Sequence, residues 1–322
     1  MCYNKNNKKL KEAKMATKKS KTSTKSAKTK STKKITAAKT AAKSELEAPK
    51  TNKVEKTTTK NKSCFSGFFA RKYEGKENVL TVFKNPKFYG ALLGEVIGTL
   101  LLTLLIFAIF PFQGGVYNII NNIFAIVAIL IAVYAFSGAC LNPLVSVGMM
   151  ASRRMSVIRG VMYIIAEIVG AWFGWMILNG FHLAGGETAI DIPEMSAIAE
   201  GGFWPTVMIE LVGAIIIAFF FARAIKYKRS VFTFAAVVAG GIALAYLVGY
   251  VASAGFLGLS NNFIMNPAIA LMLQIFPTAG ESFGEILGGI CQALSVYALF
   301  PMIGGVIGFY LSDFASKLSS EE

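Results

Sequence analysis

Six long apolar stretches, spread over residues 88–311, restrict the fold of this chain more than any other feature. A helix that crosses the hydrocarbon core of a bilayer needs about 20 apolar residues and satisfies its own backbone hydrogen bonds. The sequence therefore predicts an all-α membrane protein with six transmembrane helices. We place these helices at Phe88–Phe110, Ile119–Phe136, Val157–Leu178, Phe203–Ala224, Val231–Ser253 and Ile286–Leu311.

The charges between these stretches alternate along the chain. The connection after the second stretch, with the adjoining helix end, carries Arg153, Arg154 and Arg159. The connection after the fourth stretch, with its adjoining helix end, carries Arg223, Lys226, Lys228 and Arg229. The third and fifth connections carry acidic residues but no Lys or Arg. Because Lys and Arg accumulate on the cytoplasmic side, this alternation predicts a multi-pass protein of the cell membrane with both termini in the cytoplasm.

The N-terminal region differs from the rest of the chain in composition. Residues 1–62 hold 20 Lys and 4 Glu, and most of the remaining residues are Ser, Thr, Ala and Asn. A segment with so few apolar residues and so much like charge is typical of disorder. We therefore predict a disordered cytoplasmic tail over residues 1–75 and a membrane domain over residues 76–322. The tail is either a solvated segment or one that contacts anionic lipid or nucleic acid.

An Asn-Pro pair occurs beside an apolar stretch in each half of the membrane domain. Asn142-Pro143 and Asn266-Pro267 lie 124 residues apart. Each pair follows two predicted membrane helices and precedes a third. Because the first half crosses the bilayer three times, the second half begins on the opposite side of the bilayer and has the inverse orientation. The pattern predicts an inverted repeat, with a first half at about residues 88–180 and a second half at about residues 203–311.

The two pairs predict short helices inside the membrane. Asparagine is a favourable N-cap, and proline is well placed at the first helical position. The predicted helices, Pro143–Ala151 and Pro267–Phe276, have about ten residues and rise only about 15 Å, half of the hydrocarbon thickness. They must therefore be re-entrant half-helices whose N-termini meet near the midplane. A third pair, Asn85-Pro86, precedes the first membrane helix and is expected to form an ordinary turn.

One glutamate lies within the first membrane helix of each half. Glu95 and Glu210 occupy matching positions in the two halves. The backbone before each Asn-Pro pair is not helical at membrane depth, so its amide groups need partners. We expect the two carboxyl groups to accept those hydrogen bonds. A proton relay or an ion site is the alternative.

The stretches SGACLNPLVSVG and FIMNPAIA resemble the two Asn-Pro-Ala boxes of the major intrinsic protein family, the aquaporins and glycerol facilitators. The resemblance covers about residues 88–311, which include all six predicted membrane helices and both half-helices. It implies a passive channel for small neutral solutes, and a homotetramer with one pore in each subunit. Glycerol-like polyols, water and other small uncharged molecules are the solutes expected.

The resemblance also indicates which residues line such a pore. Asn142 and Asn266 would present amide donors at the midplane, where the positive ends of two half-helix dipoles repel cations. The filter positions fall on Ile269, Phe263, Ala254 and Asn122. The family usually has arginine where this chain has Ile269. Loss of that cation predicts either a wider, apolar constriction that passes glycerol-sized solutes or a pore that closes by dewetting.

Two further family positions differ as well. Cys140 stands where histidine is common, and Leu144 stands where alanine is usual. Both substitutions replace the usual residues near the first half-helix, and they leave the identity of the solute open.

Other classes of function find little support in the sequence. The four cysteines are scattered, and the chain has one histidine, so we expect no metal site and no cofactor. No motif of a hydrolase, a metalloprotease or a nucleotide-binding enzyme is present, and we expect no enzyme activity. A secondary transporter, a weakly selective ion channel and a non-conducting structural member remain as alternatives on the same architecture.

Overall fold

The structure is a computed structural model that describes residues 79–109, 115–186, 202–226, 230–253, 263–274 and 283–319, all within the unit Lys60–Glu322. Every regular element in these ranges is a helix, which confirms the predicted all-α class. The first half contains α1 (Val79–Phe83), α2 (Pro86–Ile109), α3 (Gly115–Ser137), α4 (Pro143–Ala151) and α5 (Val157–Ala184). The second half contains α6 (Phe203–Lys226), α7 (Val231–Tyr250), α8 (Pro267–Gln274), α9 (Phe283–Leu294) and α10 (Phe300–Leu318).

Five parts of the described chain are long and apolar enough to cross a membrane. They are the four helices α2, α5, α6 and α7 and the continuous stretch formed by α9 and α10. The remaining predicted membrane helix, Ile119–Phe136, corresponds to α3, in which the apolar stretch Asn122–Ser137 is shorter than the others. Large apolar side chains are exposed along these helices, for example Leu93, Phe124 and Trp204. Such a surface suits hydrocarbon rather than water.

The last predicted membrane helix, Ile286–Leu311, differs from the structure in its bounds and continuity. The helical stretch begins at Phe283 and ends at Leu318, and a π-helical turn, Ser295–Leu299, separates α9 from α10. Pro301 lies two residues after this turn. Since proline has no backbone N–H and crowds the preceding turn, a local change of hydrogen-bond pattern accommodates it.

The two half-helices lie where the sequence places them. The first occupies Pro143–Ala151 as predicted, and the second is described over Pro267–Gln274, while the last two predicted residues, 275 and 276, lie outside the described residues. The third Asn-Pro pair is more than a turn: α2 begins at Pro86, and Asn85 Oδ1 accepts a hydrogen bond from the Lys87 amide at 3.0 Å. All three pairs therefore begin helices, and only two of these helices begin in the protein interior.

Glycines allow close helix contacts at equivalent places in the two halves. A Cβ atom on Gly170 of α5 would lie 2.4 Å from the Val96 carbonyl oxygen of α2. A Cβ atom on Gly308 of α10 would lie 2.5 Å from the Ile215 carbonyl oxygen of α6. The same type of contact therefore joins the first and third membrane helices of each half, as an internal repeat requires.

Candidate functional site

Both half-helices begin with the same cap. Asn142 Oδ1 accepts a hydrogen bond from the Leu144 amide at 3.1 Å, and Asn266 Oδ1 accepts one from the Ala268 amide at 3.2 Å. Pro143 and Pro267 are the first helical residues, where a missing N–H costs nothing. The caps leave the amide nitrogen of each asparagine available for another partner.

The two asparagines also join the halves to each other. Asn142 Nδ2 donates to the Met265 carbonyl oxygen at 2.9 Å, and Asn266 Nδ2 donates to the Leu141 carbonyl oxygen at 3.0 Å. Each asparagine thus holds the residue that precedes the other one. A carboxamide nitrogen carries two hydrogens, so each side chain keeps one donor beyond this contact.

Glu95 and Glu210 hold the extended backbone that leads into each half-helix. Glu95 accepts hydrogen bonds from the amides of Cys140 at 3.1 Å and Leu141 at 2.6 Å. Glu210 accepts them from the amides of Ile264 at 2.6 Å and Met265 at 3.0 Å. Both carboxyl groups are fully buried. Each glutamate therefore satisfies two backbone amides that would otherwise be unpaired at membrane depth.

The same extended backbone is strained at matching positions. Leu141 and Met265, the residues before the two asparagines, have positive φ values of 52° and 53°. This left-handed conformation is unfavourable for residues with a Cβ atom and persists only where the surroundings hold it. Here the hydrogen bonds that each residue donates to a glutamate and accepts from the opposite asparagine supply the restraint.

A glycine three residues after each glutamate makes room for these side chains. A Cβ atom on Gly98 would lie 2.3 Å from Leu141 Cδ2, and a Cβ atom on Gly213 would lie 2.2 Å from Met265 Sδ. This pairing was not predicted from the sequence. The signal for it is a glutamate followed three residues later by glycine, which occurs once in the first membrane helix of each half.

A cavity of about 50 Å³ lies where the two half-helices meet. Asn142, Asn266, Cys140 and Tyr246 are the polar residues on its wall, and the other described lining residues are apolar. Since a water molecule needs roughly 10–15 Å³ of such volume, the cavity holds only a few water-sized molecules. A molecule of that size inside the cavity would lie beside the two asparagines.

The predicted pore residues are distributed unevenly around this cavity. Asn142, Asn266 and Ile269 line it. Phe263 is buried and is not among the described lining residues; its ring packs 5.8 Å from the Tyr246 ring, between ring centroids. Asn122 is half-buried on α3 and is likewise not among them, and Ala254 lies outside the described residues.

Tyr246 is a lining residue that was not predicted from the sequence. It lies on α7, and its hydroxyl donates to the Ile264 carbonyl oxygen at 2.6 Å. The spacing from the Asn-Pro boxes places the filter positions but gives no direct information on which α7 residue faces the cavity. Tyrosine in an otherwise apolar helix is a usable signal, since a buried phenol needs a hydrogen-bond partner.

A charged contact joins the end of the first half-helix to α10. Arg154 forms an ion pair with Asp313, and its guanidinium lies over the Phe309 ring, 5.4 Å from the centroid. Arg223 of α6 donates to the Oγ atom of Ser316, which also lies on α10, at 2.9 Å. Among the described residues, no group of three His, Cys, Asp or Glu side chains is arranged to hold a metal ion.

The family model of the major intrinsic proteins matches residues 82–311, which include both half-helices and the cavity between them. The chain belongs to the major intrinsic protein family. Family membership and the long apolar helices together establish a multi-pass membrane protein. The match also includes every described element that positions the two asparagines.

Individual relatives are more distant. The chain is 27% identical to Aquaporin-1 of Sus scrofa over 179 residues and 26% identical to Aquaporin-1 of Mus musculus over 181 residues. Each match covers 55% of this chain and 59% of the relative. A solved structure, the aquaglyceroporin from Plasmodium falciparum, matches with a TM-score of 0.47 and 19% identity over 70% of this chain and 95% of that chain.

Proposed function

We propose that this protein is a passive channel for small neutral solutes. The observation that carries the proposal is the cavity at the meeting point of the two half-helices, with Asn142 and Asn266 on its wall. Each asparagine uses its amide oxygen for the cap and one amide hydrogen for the contact with the opposite half, so its second amide hydrogen is still available. A solute with hydroxyl or carbonyl oxygens can accept these hydrogen bonds as it passes.

The electrostatics of this position favour neutral solutes over cations. The N-terminus of a helix carries a partial positive charge of about half an elementary charge, and two such ends converge on the cavity. None of the described lining residues carries a charge that would offset them. A cation here would lose its hydration and meet positive dipole ends, which argues against the ion-channel alternative.

The apolar wall around the asparagines supports the proposal that the preferred solute is larger than water. Ile269 stands at the position that the resemblance assigns to arginine, and it lines the cavity together with other apolar side chains. An apolar wall interacts with the carbon atoms of a polyol, while the asparagines bind its hydroxyl groups. We therefore propose glycerol-like polyols as the preferred solutes, with water as a weaker one.

The proposed channel domain comprises residues 76–322, in the cell membrane, with both termini in the cytoplasm. We propose that it assembles as a homotetramer. An apolar groove of about 420 Å³ between α6 and α7 supports this, since Trp204, Met208 and Val248 lie exposed along it. The tail, residues 1–75, is proposed to remain solvated or to contact anionic lipid.

The test is solute-driven swelling of liposomes that contain the purified protein. Light scattering after an osmotic step with sucrose, glycerol or urea reports water and solute permeability. The wild type should reswell faster in glycerol than empty liposomes. Ile269→Arg should slow this reswelling because the longer, charged side chain narrows the cavity. Ile269→Leu, which keeps volume and polarity, is the matched control and should behave as the wild type does.

Each outcome bears on the proposal. If the wild type shows no permeability above empty liposomes, the open-channel proposal fails, and a pore closed by dewetting or a structural role replaces it. If glycerol transport occurs but depends on a proton or sodium gradient, the protein is a coupled transporter. If Ile269→Arg and Ile269→Leu change reswelling equally, Ile269 does not set the constriction.

A further inference from the structure

The two halves differ in how the carbonyl groups beside the cavity are used. In the second half, the Tyr246 hydroxyl donates to the Ile264 carbonyl oxygen at 2.6 Å. The repeat spacing of 124 residues makes Cys140 the equivalent of Ile264 in the first half. Both residues line the cavity. Among the residues that the structure describes, none donates a hydrogen bond to the Cys140 carbonyl.

This difference changes the acceptors that a solute meets. The carbonyl oxygens of Leu141 and Met265 already accept from the opposite asparagines. The remaining carbonyl next to each is Cys140 in the first half and Ile264 in the second. Because the Tyr246 hydroxyl already donates to the Ile264 carbonyl oxygen, that oxygen is a weaker acceptor for a hydroxyl-bearing solute than the Cys140 carbonyl oxygen in the first half.

The Tyr246 ring has a separate effect on width. Phe263, the aromatic residue predicted to face the solute, is 2% exposed and packs on Tyr246 and close to Gly249. Tyr246 is 8% exposed and lines the cavity. Of these two rings, the one on the cavity wall therefore belongs to Tyr246, and Phe263 packs against it from behind. The hydrogen bond to Ile264 fixes the ring, so this part of the wall is rigid.

We propose that Tyr246 is a specificity-determining residue of the channel. Its ring limits the size of the solute, and its hydroxyl withdraws the Ile264 carbonyl from the solute. The inference rests on the proposed channel function and adds a residue and two separable contributions to it. The solutes discriminated in this way are small polyols that differ in length or in hydroxyl number.

Two substitutions separate the two contributions. Tyr246→Phe keeps the ring and frees the Ile264 carbonyl. It should raise the permeability of glycerol relative to 1,2-propanediol, which has one hydroxyl fewer, by about two- to fivefold, as gain of one modest hydrogen bond allows. Its size limit should stay that of the wild type. The size limit set by the ring should exclude the four-carbon polyol erythritol from the wild type, and Tyr246→Leu, which removes the ring, should admit it.

Tyr163 provides the matched control. Its buried hydroxyl donates to the Ser137 carbonyl oxygen at 3.1 Å in the first half, and it is not among the described residues that line the cavity. Tyr163→Phe therefore removes the same type of hydrogen bond without touching the solute. It should leave both the glycerol-to-propanediol ratio and the size limit unchanged.

The measurements are liposome reswelling rates in the three solutes, with the amount and monodispersity of each variant checked by size-exclusion chromatography. If Tyr246→Leu aggregates, Tyr246→Met, which fills more of the vacated space, takes its place. The proposal is overturned if the Tyr246 variants keep the wild-type ratios, or if Tyr163→Phe shifts them equally. Absence of any wild-type permeability would instead refute the channel function itself, so the two failures are distinguishable.

Discussion

Asn142 Nδ2 lies 2.9 Å from the carbonyl oxygen of Met265, a residue 123 positions further along the chain. The equivalent bond from Asn266 to Leu141 measures 3.0 Å. Neither half-helix can move away from the midplane without breaking both of these contacts. The two donors proposed to meet the solute are thus held in place by the halves acting on each other, and each asparagine serves as a cap, a link and a donor.

Asn142→Asp separates the cap from the other two roles. The carboxylate still accepts from the Leu144 amide, so the half-helix keeps its N-cap. It loses the donor to Met265 and adds a negative charge beside the cavity. We expect glycerol permeability to fall by about tenfold, the equivalent of about 1.4 kcal/mol. We also expect a cation leak, measured with a potential-sensitive dye in potassium-loaded liposomes.

Asn85→Asp is the matched control for this change. Asn85 is an exposed cap of α2, with its Oδ1 accepting from Lys87, and it begins a helix with the same Asn-Pro pair. The variant should keep wild-type permeability and show no leak. Equal behaviour of the two variants would mean that Asn142 acts only as a cap.

Glu210→Gln should destabilise the protein. The wild-type carboxyl group accepts from two backbone amides, one on each oxygen. The amide side chain has one acceptor, and its NH₂ group would face an N–H, which leaves a buried donor unpaired. We expect a loss of about 1–3 kcal/mol in the free energy of unfolding. Chemical unfolding in detergent micelles, followed by tryptophan fluorescence, measures it.

Glu167→Gln makes the same change at a carboxyl group that accepts fewer hydrogen bonds than Glu210 does. Glu167 is fully buried on α5, and its Oε1 accepts from Ser146 Oγ at 2.8 Å. Its Oε2 has no hydrogen-bond partner among the described residues. An amide oxygen can keep the Ser146 contact, so the free energy of unfolding should change by less than about 1 kcal/mol. A loss as large as that of Glu210→Gln would contradict the two-amide explanation.

The sequence was sufficient for the frame of this fold because membrane constraints are strong. Apolar length fixes the helices that can span, and Asn-Pro pairs at the ends of apolar runs mark the half-helices. The start of α4 at Pro143 and of α8 at Pro267 follows from cap chemistry alone. The C-terminal ends of the helices were harder to predict than their starts. The last helix extends to Leu318 and not to Leu311, because polar residues near the bilayer surface continue a helix without penalty.

The wall of the cavity was harder to predict. Asn142 and Asn266 follow from the capping of half-helices whose starts are known, and Ile269 follows from the family resemblance, which places a pore residue three positions after the second asparagine. Tyr246 and Phe263 depend on how α7 rotates against the extended segment, and that rotation is set by packing around Gly249. No local pattern in the sequence encodes it. Residues fixed by local capping were thus predictable, and residues fixed by helix rotation were not.

Gly305→Ala tests the packing of the first half-helix against α10. A Cβ atom at this position would lie 2.2 Å from the Leu144 carbonyl oxygen, a backbone atom within the first turn of α4. The half-helix must shift to relieve the clash, so we expect a loss of about 1–3 kcal/mol in the free energy of unfolding, together with reduced glycerol permeability.

Gly240→Ala is the control: it lies on α7, and a Cβ atom there meets nothing within 4 Å. That variant should gain about 0.5–1 kcal/mol, because alanine favours a helix interior over glycine. Unfolding in detergent and liposome reswelling measure the two effects, and an unaltered Gly305→Ala would show that α4 is not held against α10 at this distance.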